Sequence, residues 1–238
     1  MSFPLIVAHR GYSARAPENT LASLCLALDV GAPLCEIDVR RTADGEVVVL
    51  HDATVDRTTN GSGTVAEMTA EAVQALDAGA WKGPEFAGER IPLLSEALDV
   101  MRGRGHLVVE IKDEGIEQAV ADVFRAADAL RRVTVIAFSL EVCRRMRQVL
   151  PQVGVLWLVG GEGGPVEELA DTALEAGVQG LDVFHGLVDE DFAHTVLRRG
   201  LSLWVWTVNE PARAQELAAL GVGAITTDDP VTIAQAID

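Results

Sequence analysis

Short runs of apolar and β-branched residues alternate along the chain with segments of helical periodicity. Eight such runs predict buried strands, at residues 5–9, 35–39, 107–111, 133–138, 153–158, 180–184, 201–208 and 224–227. Helical patterns lie between most of them, at residues 17–30, 94–102, 115–130, 141–149, 165–176, 189–198 and 211–219. Eight strand–helix units in 238 residues indicate an α/β protein with a parallel sheet closed into a (β/α)₈ TIM barrel. A doubly wound open sheet is the alternative, but no Gly-rich dinucleotide motif follows the first strand.

A ninth apolar run, residues 46–50, follows the second predicted strand after only the tetrapeptide TADG. Because this connection is too short for a crossover, the two runs are predicted to form an antiparallel hairpin. With Asp44 and Gly45 as a two-residue turn, Asp38 would pair with His51. Directly opposed residues share one face of a sheet, so this register would place His51 beside Asp38.

Residues 53–92 do not follow the strand–helix pattern. The stretch contains RTTNGSG, a short helical pattern near residues 69–77, and GAWKGPEFAGERIP. A connection this long with little regular structure is usually functional or disordered, and we expect an insertion folded over the barrel mouth. No linker rich in Pro, Gly or Ser divides the chain, so residues 1–238 are expected to form one domain.

Three carboxylates are expected to point into the barrel near its mouth. Glu36 and Asp38 share one face of the second predicted strand, and Glu110 lies near the end of the third. The sequences around Glu36 and Glu110 are alike, which predicts equal heights on neighbouring strands. Clustered carboxylates repel one another, and a hard divalent cation such as Mg²⁺ or Ca²⁺ prefers such oxygen ligands. The alternative is that they are water-exposed residues at strand ends, paired with Lys112.

Two histidines are placed for proton transfer beside this cluster. His9 ends the first predicted strand and His51 follows the hairpin, and two imidazoles near a metal can act as general acid and base. A buried structural histidine is the alternative for His9. Three other histidines are weaker candidates: His106, His185 and His194.

Two cations and one aromatic residue complete the candidate site. Arg10 and Lys112 lie within two residues of His9 and Glu110 and could bind a phosphate, although a surface salt bridge is the commoner role for either alone. Trp206 lies near the end of the seventh predicted strand. Core packing is the ordinary role for such a residue, but at the barrel mouth its ring could line the non-phosphate part of a substrate.

The net charge of −17, from 36 acidic and 19 basic residues, argues against nucleic acid and anionic membranes as partners. An anionic substrate would need a local group of cations. The three cysteines form no pair with metal-ligand spacing and are interpreted as free thiols in a reducing cytosol. The first apolar run is too short for a signal peptide, and no run suffices for a membrane span. We expect a cytoplasmic protein, or alternatively an exported one whose leader has been removed; the oligomeric state is left open.

The order and spacing of eight motifs, from residue 6 to about residue 230, make the chain resemble the glycerophosphodiester phosphodiesterase family, in its bacterial cytosolic type. The motifs are AHRG, PENTLAS, EIDV, VVLHD, TTNGSG, EIK, WTVN and TTDDP. The resemblance implies a (β/α)₈ barrel with a small inserted subdomain. It also implies a catalytic pair, His9 and His51; metal ligands, Glu36, Asp38 and Glu110; phosphate-contacting cations, Arg10 and Lys112; and an aromatic near the glycerol, Trp206.

The activity implied is metal-dependent hydrolysis of a glycerophosphodiester to sn-glycerol 3-phosphate and an alcohol, with one divalent cation, Mg²⁺ or Ca²⁺, and Mn²⁺ also possible. The alcohol, the division of labour between the histidines and the nucleophile (water or the glycerol 2-hydroxyl) are left open. The same chemistry on a lipid, as in a lysophospholipase D or phosphoinositide-type phosphodiesterase, ranks second, because the insertion lacks a basic amphipathic helix. A non-catalytic metal- or metabolite-binding barrel is disfavoured, because every residue that the chemistry needs is present.

Overall fold

A closed parallel β-barrel forms the centre of the computed structural model, which describes residues 3–237. Residues 1, 2 and 238, at the ends of the expected domain, lie outside the described residues. The strands neighbour one another in the order β1-β9-β8-β7-β6-β5-β4-β2-β3, and pairing of β1 with β2 closes the barrel. The strands are β1 (Leu5–Ala8), β2 (Leu34–Arg41), β3 (Val47–Val49), β4 (His106–Ile111), β5 (Val133–Ala137), β6 (Gly154–Val159), β7 (Gly180–Phe184), β8 (Ser202–Trp206) and β9 (Ala224–Thr227).

Eight helices surround the barrel and a ninth lies in the insertion, among the residues described. They are α1 (Leu21–Asp29), α2 (Ala70–Gln74), α3 (Leu94–Met101), α4 (Glu117–Ala126), α5 (Leu140–Val149), α6 (Val166–Ala176), α7 (Glu190–Arg198), α8 (Pro211–Ala219) and α9 (Pro230–Ile237). The predicted (β/α)₈ barrel is confirmed. No helix within residues 3–237 combines the length and apolar character needed to cross a membrane.

Helix α1 begins at Leu21, four residues later than predicted. Thr20 caps it by accepting a hydrogen bond from the Ser23 backbone N–H at 3.3 Å. Asn19, just before the cap, has a φ of 59°, a left-handed conformation that a helix cannot contain. The PENT segment is therefore part of the loop that joins β1 to α1 at the barrel mouth.

The predicted hairpin forms, but its register is shifted by one residue. Val39 pairs with Val49 and Arg41 with Val47, and the Leu50 backbone N–H donates to the Asp38 carbonyl. The loop has three residues, 43–45, because Gly45 adopts a φ of 91° and continues the turn in the left-handed region. Asp38 thus opposes Leu50 rather than His51, and the predicted pairing of Asp38 with His51 is wrong.

Two apolar regions lie on either side of the barrel wall. The larger fills the space between strands and helices and contains Ile37, Leu24 and Phe124. The smaller lies inside the barrel, where Val7, Val108, Leu156 and Ala224 pack together with several neighbours. Strand side chains alternate between these two regions, so the polar residues that face inward collect above the inner apolar layer.

The insertion has its own small core, built on β3. Val48, Leu50, Val55, Val65, Val73, Ala78 and Ile91 are buried together. Isolated bridges join Val48 to Leu93 and Thr54 to Thr64. The segment also touches the loop after β1, since the Lys82 Nζ donates to the Ser13 carbonyl at 2.6 Å. It forms the small inserted subdomain that the sequence predicted.

Candidate active site

A cavity of about 290 Å³ opens at the carboxyl ends of the barrel strands. Seven of the eight predicted site residues line it, and the eighth, Asp38, is buried beside them with 1% of its surface exposed. The remaining lining residues are Ile136, Phe138, Leu158, Asp182, Thr207 and Thr226. The cavity lies where catalytic groups sit in this fold.

The loop after β1 is held in a sharply bent shape at the cavity rim. Arg10 has a φ of 55° and Gly11 a φ of 77°. The Arg10 backbone N–H donates to Glu36 Oε2 at 3.0 Å, and its carbonyl accepts from Ser23 Oγ at 2.8 Å. A Cβ on Gly11 would lie 2.3–2.7 Å from atoms of Ser23, so only glycine fits. This bend directs His9 and Arg10 towards the carboxylates of the neighbouring strand.

The three predicted metal ligands converge, with one ligand atom from each within 4.8 Å of the others. Asp38 and Glu110 are directly paired across β2 and β4, and Glu36 pairs with Val108. Glu110 is therefore level with Asp38 and not with Glu36, which corrects the equal height inferred from the local likeness. All three share the inward face of the barrel because they differ by an even number of strand positions.

The carboxylates are buried, which rules out the alternative of water-exposed residues at strand ends. Glu36 is 3% exposed and Glu110 is 8% exposed. Burial, and then the negative charge of Asp38, raises the pKa of Glu36 well above its usual value and that of Glu110 to about 7. Full ionisation of the cluster is therefore unfavourable by itself, and a bound cation would stabilise it.

Asp38 remains ionised within the cluster. Burial raises its pKa, but the nearby charges of Arg10 and Lys112 and a hydrogen bond from Asn19 outweigh burial and lower it. Asn19 donates to Oδ2 at 2.8 Å and accepts from the Asp38 backbone N–H at 3.1 Å. Asp38 Oδ1 has no hydrogen-bond partner among residues 3–237. A buried set of oxygen ligands, one of which accepts no hydrogen bond from residues 3–237, fits a divalent cation such as Mg²⁺ or Ca²⁺.

Two cations lie against the cluster. Lys112 Nζ lies 2.7 Å from Glu110 Oε1 and 3.5 Å from Asp38 Oδ1. Arg10 Nε lies 3.3 Å from Asp38 Oδ2 and forms an ion pair with it, but not a hydrogen bond. The Nη1 atom of Arg10 donates a hydrogen bond to Glu18. Both side chains also line the cavity. They place positive charge on its wall, although the protein as a whole is acidic.

Each histidine of the predicted pair is held by a carboxylate through Nδ1. His9 Nδ1 lies 2.6 Å from Asp228 Oδ1, and His51 Nδ1 lies 2.6 Å from Asp52 Oδ1. An ionised carboxylate only accepts hydrogen bonds, so Nδ1 carries the proton and Nε2 holds the free lone pair in each neutral ring. Burial is the main cause that lowers the pKa of His51, so its neutral form predominates at neutral pH.

Both orienting carboxylates are kept ionised by their surroundings. Burial raises the pKa of Asp228, but hydrogen bonds from His9, Asn209 and Ser13 outweigh it and lower the pKa to about 2. Two hydrogen bonds from Arg57 are the main cause that lowers the pKa of Asp52.

Sequence reasoning missed several of these residues. Asn19 and Asp228 lie in two of the quoted motifs, PENTLAS and TTDDP, but the first was assigned to a helix start and the second was not assigned at all. Arg57, in the insertion, bonds both Glu18 and Asp52. Their sequence signal was membership in the motifs or in the insertion. The partners of Asn19 and Asp228, namely Asp38 and His9, lie 19 and 219 positions away and could not be found from local sequence.

Trp206 lies on the cavity wall opposite the carboxylate cluster. Its ring makes edge contacts with Phe138 and Phe184, at centroid distances of 5.6 and 5.8 Å. Its Nε1 donates to the Asp182 carbonyl at 3.1 Å, which fixes the ring plane. The weaker histidine candidates, His106, His185 and His194, are outside the cavity lining.

The chain matches known proteins along nearly its whole length. The model of the glycerophosphoryl diester phosphodiesterase family matches residues 9–232. A glycerophosphodiester phosphodiesterase of Caldanaerobacter subterraneus is 35% identical over 237 residues, covering 96% of both chains.

Solved structures of phosphodiesterases are similar to this chain along nearly its whole length. An Oleispira antarctica phosphodiesterase, in complex with the product sn-glycerol-3-phosphate, is 30% identical with a TM-score of 0.89 and covers 99% of this chain and 97% of its own. A glycerophosphodiester phosphodiesterase of Agrobacterium tumefaciens is also 30% identical, with a TM-score of 0.86, covering 98% of this chain and 99% of its own. Together with the converging carboxylates and histidines, these matches show that the chain belongs to the glycerophosphoryl diester phosphodiesterase family.

Proposed function

We propose that this protein hydrolyses glycerophosphodiesters to sn-glycerol 3-phosphate and an alcohol. The observation that carries the proposal is the pair of imidazoles, His9 and His51, each held at Nδ1 by a carboxylate beside a buried three-carboxylate cluster. Family membership and the product bound to the Oleispira antarctica relative support the same reaction.

Glu36, Asp38 and Glu110 would hold one divalent cation, Mg²⁺ or Ca²⁺, with Mn²⁺ also able to bind such oxygens. When bound, the cation would act as a Lewis acid that offsets the negative charge of the phosphate. The three side chains already share one face of the barrel, so the ligands are gathered before the cation binds.

Arg10 and Lys112 bind the phosphate of the substrate in this proposal. Both line the cavity, and both are less than one-fifth exposed, so solvent screens them weakly. Positive charge fixed here stabilises the charge that develops on the phosphoryl oxygens in the transition state. Trp206 would pack its ring against the carbon atoms of the glycerol.

His9 and His51 divide the proton transfers. One Nε2 takes a proton from the nucleophile, water or the glycerol 2-hydroxyl, as its oxygen bonds to phosphorus. If the 2-hydroxyl attacks, the product is a cyclic phosphate, and water then opens it to sn-glycerol 3-phosphate. The other imidazole, protonated, donates to the alcohol oxygen as the bond from phosphorus to that oxygen breaks. Asp228 and Asp52 keep each Nδ1 protonated and so direct both rings into the cavity.

We also propose that residues 1–238 form one domain, with the insertion at about residues 53–92 lying within it. A cytoplasmic location is proposed from the cysteines, which are free, with Cys35 and Cys143 buried. The strongly negative net charge supports a small-molecule substrate rather than nucleic acid.

The test is release of sn-glycerol 3-phosphate from glycerophosphocholine and glycerophosphoethanolamine by purified protein. EDTA should stop release, and Mg²⁺, Ca²⁺ or Mn²⁺ should restore it. His9→Ala and His51→Ala should each lower the rate by about 10²- to 10⁴-fold, whereas His194→Ala, on the exposed face of α7, should not. Cleavage of lysophospholipids alone would replace the proposal by the lipid activity, and no cleavage of either would favour a binding protein.

A further inference from the structure

A fourth inward-facing carboxylate, Asp182, has no role in the chemistry above. It lies in the middle of β7, level with Leu158 of β6 and Trp204 of β8. It is 1% exposed, and its Oδ1 has no hydrogen-bond partner among the described residues. Buried polar atoms without a partner are rare and unfavourable, so a carboxyl kept in this state calls for a ligand.

The surroundings of Asp182 are unlike those of the metal-binding carboxylates. It lines the same cavity as Leu158 and Trp206, which lie on the two neighbouring strands, β6 and β8. Strands β7 and β4 are separated by β5 and β6 in the barrel, so Asp182 lies across the cavity from Glu110 and Lys112. The wall formed by β6 to β8 is therefore apolar with one buried carboxyl, whereas the opposite wall holds the charged groups.

This combination suits a short polyol chain. Carbon atoms can pack against the ring of Trp206 and the side chain of Leu158, while a hydroxyl needs a hydrogen-bonding partner in the same wall. Burial, with the charge of Glu110 adding to it, raises the pKa of Asp182 to about 8. The protonated carboxyl can both donate and accept, as a hydroxyl does.

We propose that Asp182 is a specificity residue that hydrogen-bonds the free hydroxyls of the glycerol moiety while the phosphate lies between Arg10 and Lys112. This assignment rests on the proposed function. It adds to that function the residue by which the enzyme would select substrates that contain glycerol. A site built to bind hydroxyls discriminates strongly against analogues that lack them, because its buried polar groups then stay unpaired. Simple alkyl phosphodiesters should therefore be poor substrates.

The test compares two inhibitors, sn-glycerol 3-phosphate and propyl phosphate, which differ in the two hydroxyls. Both are assayed against hydrolysis of bis(p-nitrophenyl) phosphate, a diester without glycerol, by the metal-loaded enzyme. The wild type should bind sn-glycerol 3-phosphate about 10- to 100-fold more tightly. Equal affinities in the wild type would overturn the proposal without any variant.

Asp182→Leu should abolish the preference of the enzyme for sn-glycerol 3-phosphate over propyl phosphate. Asp191→Leu, the same change at an exposed position of α7 that does not line the cavity, is the matched control and should keep the preference. Asp182 would be structural, and the proposal wrong, if Asp182→Leu lowered affinity for both inhibitors equally or if Asp191→Leu removed the preference as well. Failure of the proposed function is a separate result, namely that the wild type releases no sn-glycerol 3-phosphate from glycerophosphocholine.

Discussion

The Nδ1 atom of His9 lies 2.6 Å from the Oδ1 atom of Asp228, a residue 219 positions later in the chain. Asp228 is itself fixed by Asn209 Nδ2 at 2.6 Å and Ser13 Oγ at 3.0 Å. The loop after the last strand therefore sets the orientation and tautomer of the imidazole that follows the first strand. The pairing of the first strand, β1, with the last, β9, brings the two loops together.

Asp228→Asn should lower kcat by about 10²- to 10⁴-fold, with a smaller effect on KM. An amide can donate to Nδ1 and so favour the imidazole tautomer whose Nε2 cannot accept a proton. The measurement is steady-state kinetics of glycerophosphocholine hydrolysis. Asp229→Asn is the matched control, because Asp229 bonds Tyr12 and Thr232 instead of His9. Equal rates for the two variants would contradict the positioning role.

The contribution of Asp228 to stability should depend on pH. Its pKa of about 2 in the folded protein lies below the usual 3.8. A carboxyl group whose pKa is lowered by folding stabilises the folded state at pH values above its unfolded-state pKa. This contribution is lost as the pH falls through the folded-state pKa. In urea unfolding, the wild type should therefore exceed Asp228→Asn in free energy of unfolding near pH 6, and the difference should shrink between about pH 4 and pH 2. A difference that stays constant with pH would assign the effect of the substitution to packing.

Metal binding should stabilise the protein through the carboxylate cluster. Thermal unfolding in EDTA and in excess Mg²⁺ or Ca²⁺ should show a higher Tm with the metal. A ligand that binds only the folded state raises the free energy of unfolding. Glu36→Gln should lose this shift while remaining at least as stable as the wild type in EDTA, since it removes repulsion from the buried cluster. Glu114→Gln, an exposed change four residues after Glu110, should keep the shift. A full metal shift in Glu36→Gln would exclude Glu36 as a ligand.

Gly11→Ala should destabilise the protein by roughly 2–5 kcal/mol, the sum of a left-handed alanine and an overpacked contact. Its Cβ would lie 2.3–2.7 Å from atoms of Ser23. Gly31→Ala separates the two causes, because Gly31 also has a positive φ, 86°, but no atom of the described residues beyond its two chain neighbours lies within 4 Å of its Cβ position. We expect a loss of only about 1–2 kcal/mol there. Chemical denaturation measures the free energy of unfolding of both variants. Equal losses in the two would show that Ser23 moves away from the new Cβ at position 11 without cost.

Local pattern was sufficient to predict most of the architecture. Alternation of apolar strands and amphipathic helices is repeated over many residues, so single exceptions do not change the prediction of a barrel. The same alternation shows that Glu36, Asp38 and Glu110 face inward, since side chains along a strand change face at every residue. Motif spacing then indicated His9, His51, Arg10, Lys112 and Trp206, all of which line the cavity.

Details that depend on one conformation or on distant partners could not be predicted in this way. One left-handed glycine, Gly45, decided the loop length and moved the hairpin register by a residue. Asn19 was assigned to a helix start because its partner, Asp38, lies on β2, 19 residues later in the chain.

The sequence by itself determined the class of fold and the chemical groups that face the barrel interior, because both follow from periodicities of two and 3.6 residues. Only the tertiary structure decided that Asp228 orients His9 and that Asp38 is level with Glu110. It also decided that the Oδ1 atom of Asp182, on the opposite wall, has no hydrogen-bond partner within residues 3–237. These relationships join residues brought together by barrel closure and strand register, and no local sequence pattern encodes the partner of a side chain across the barrel.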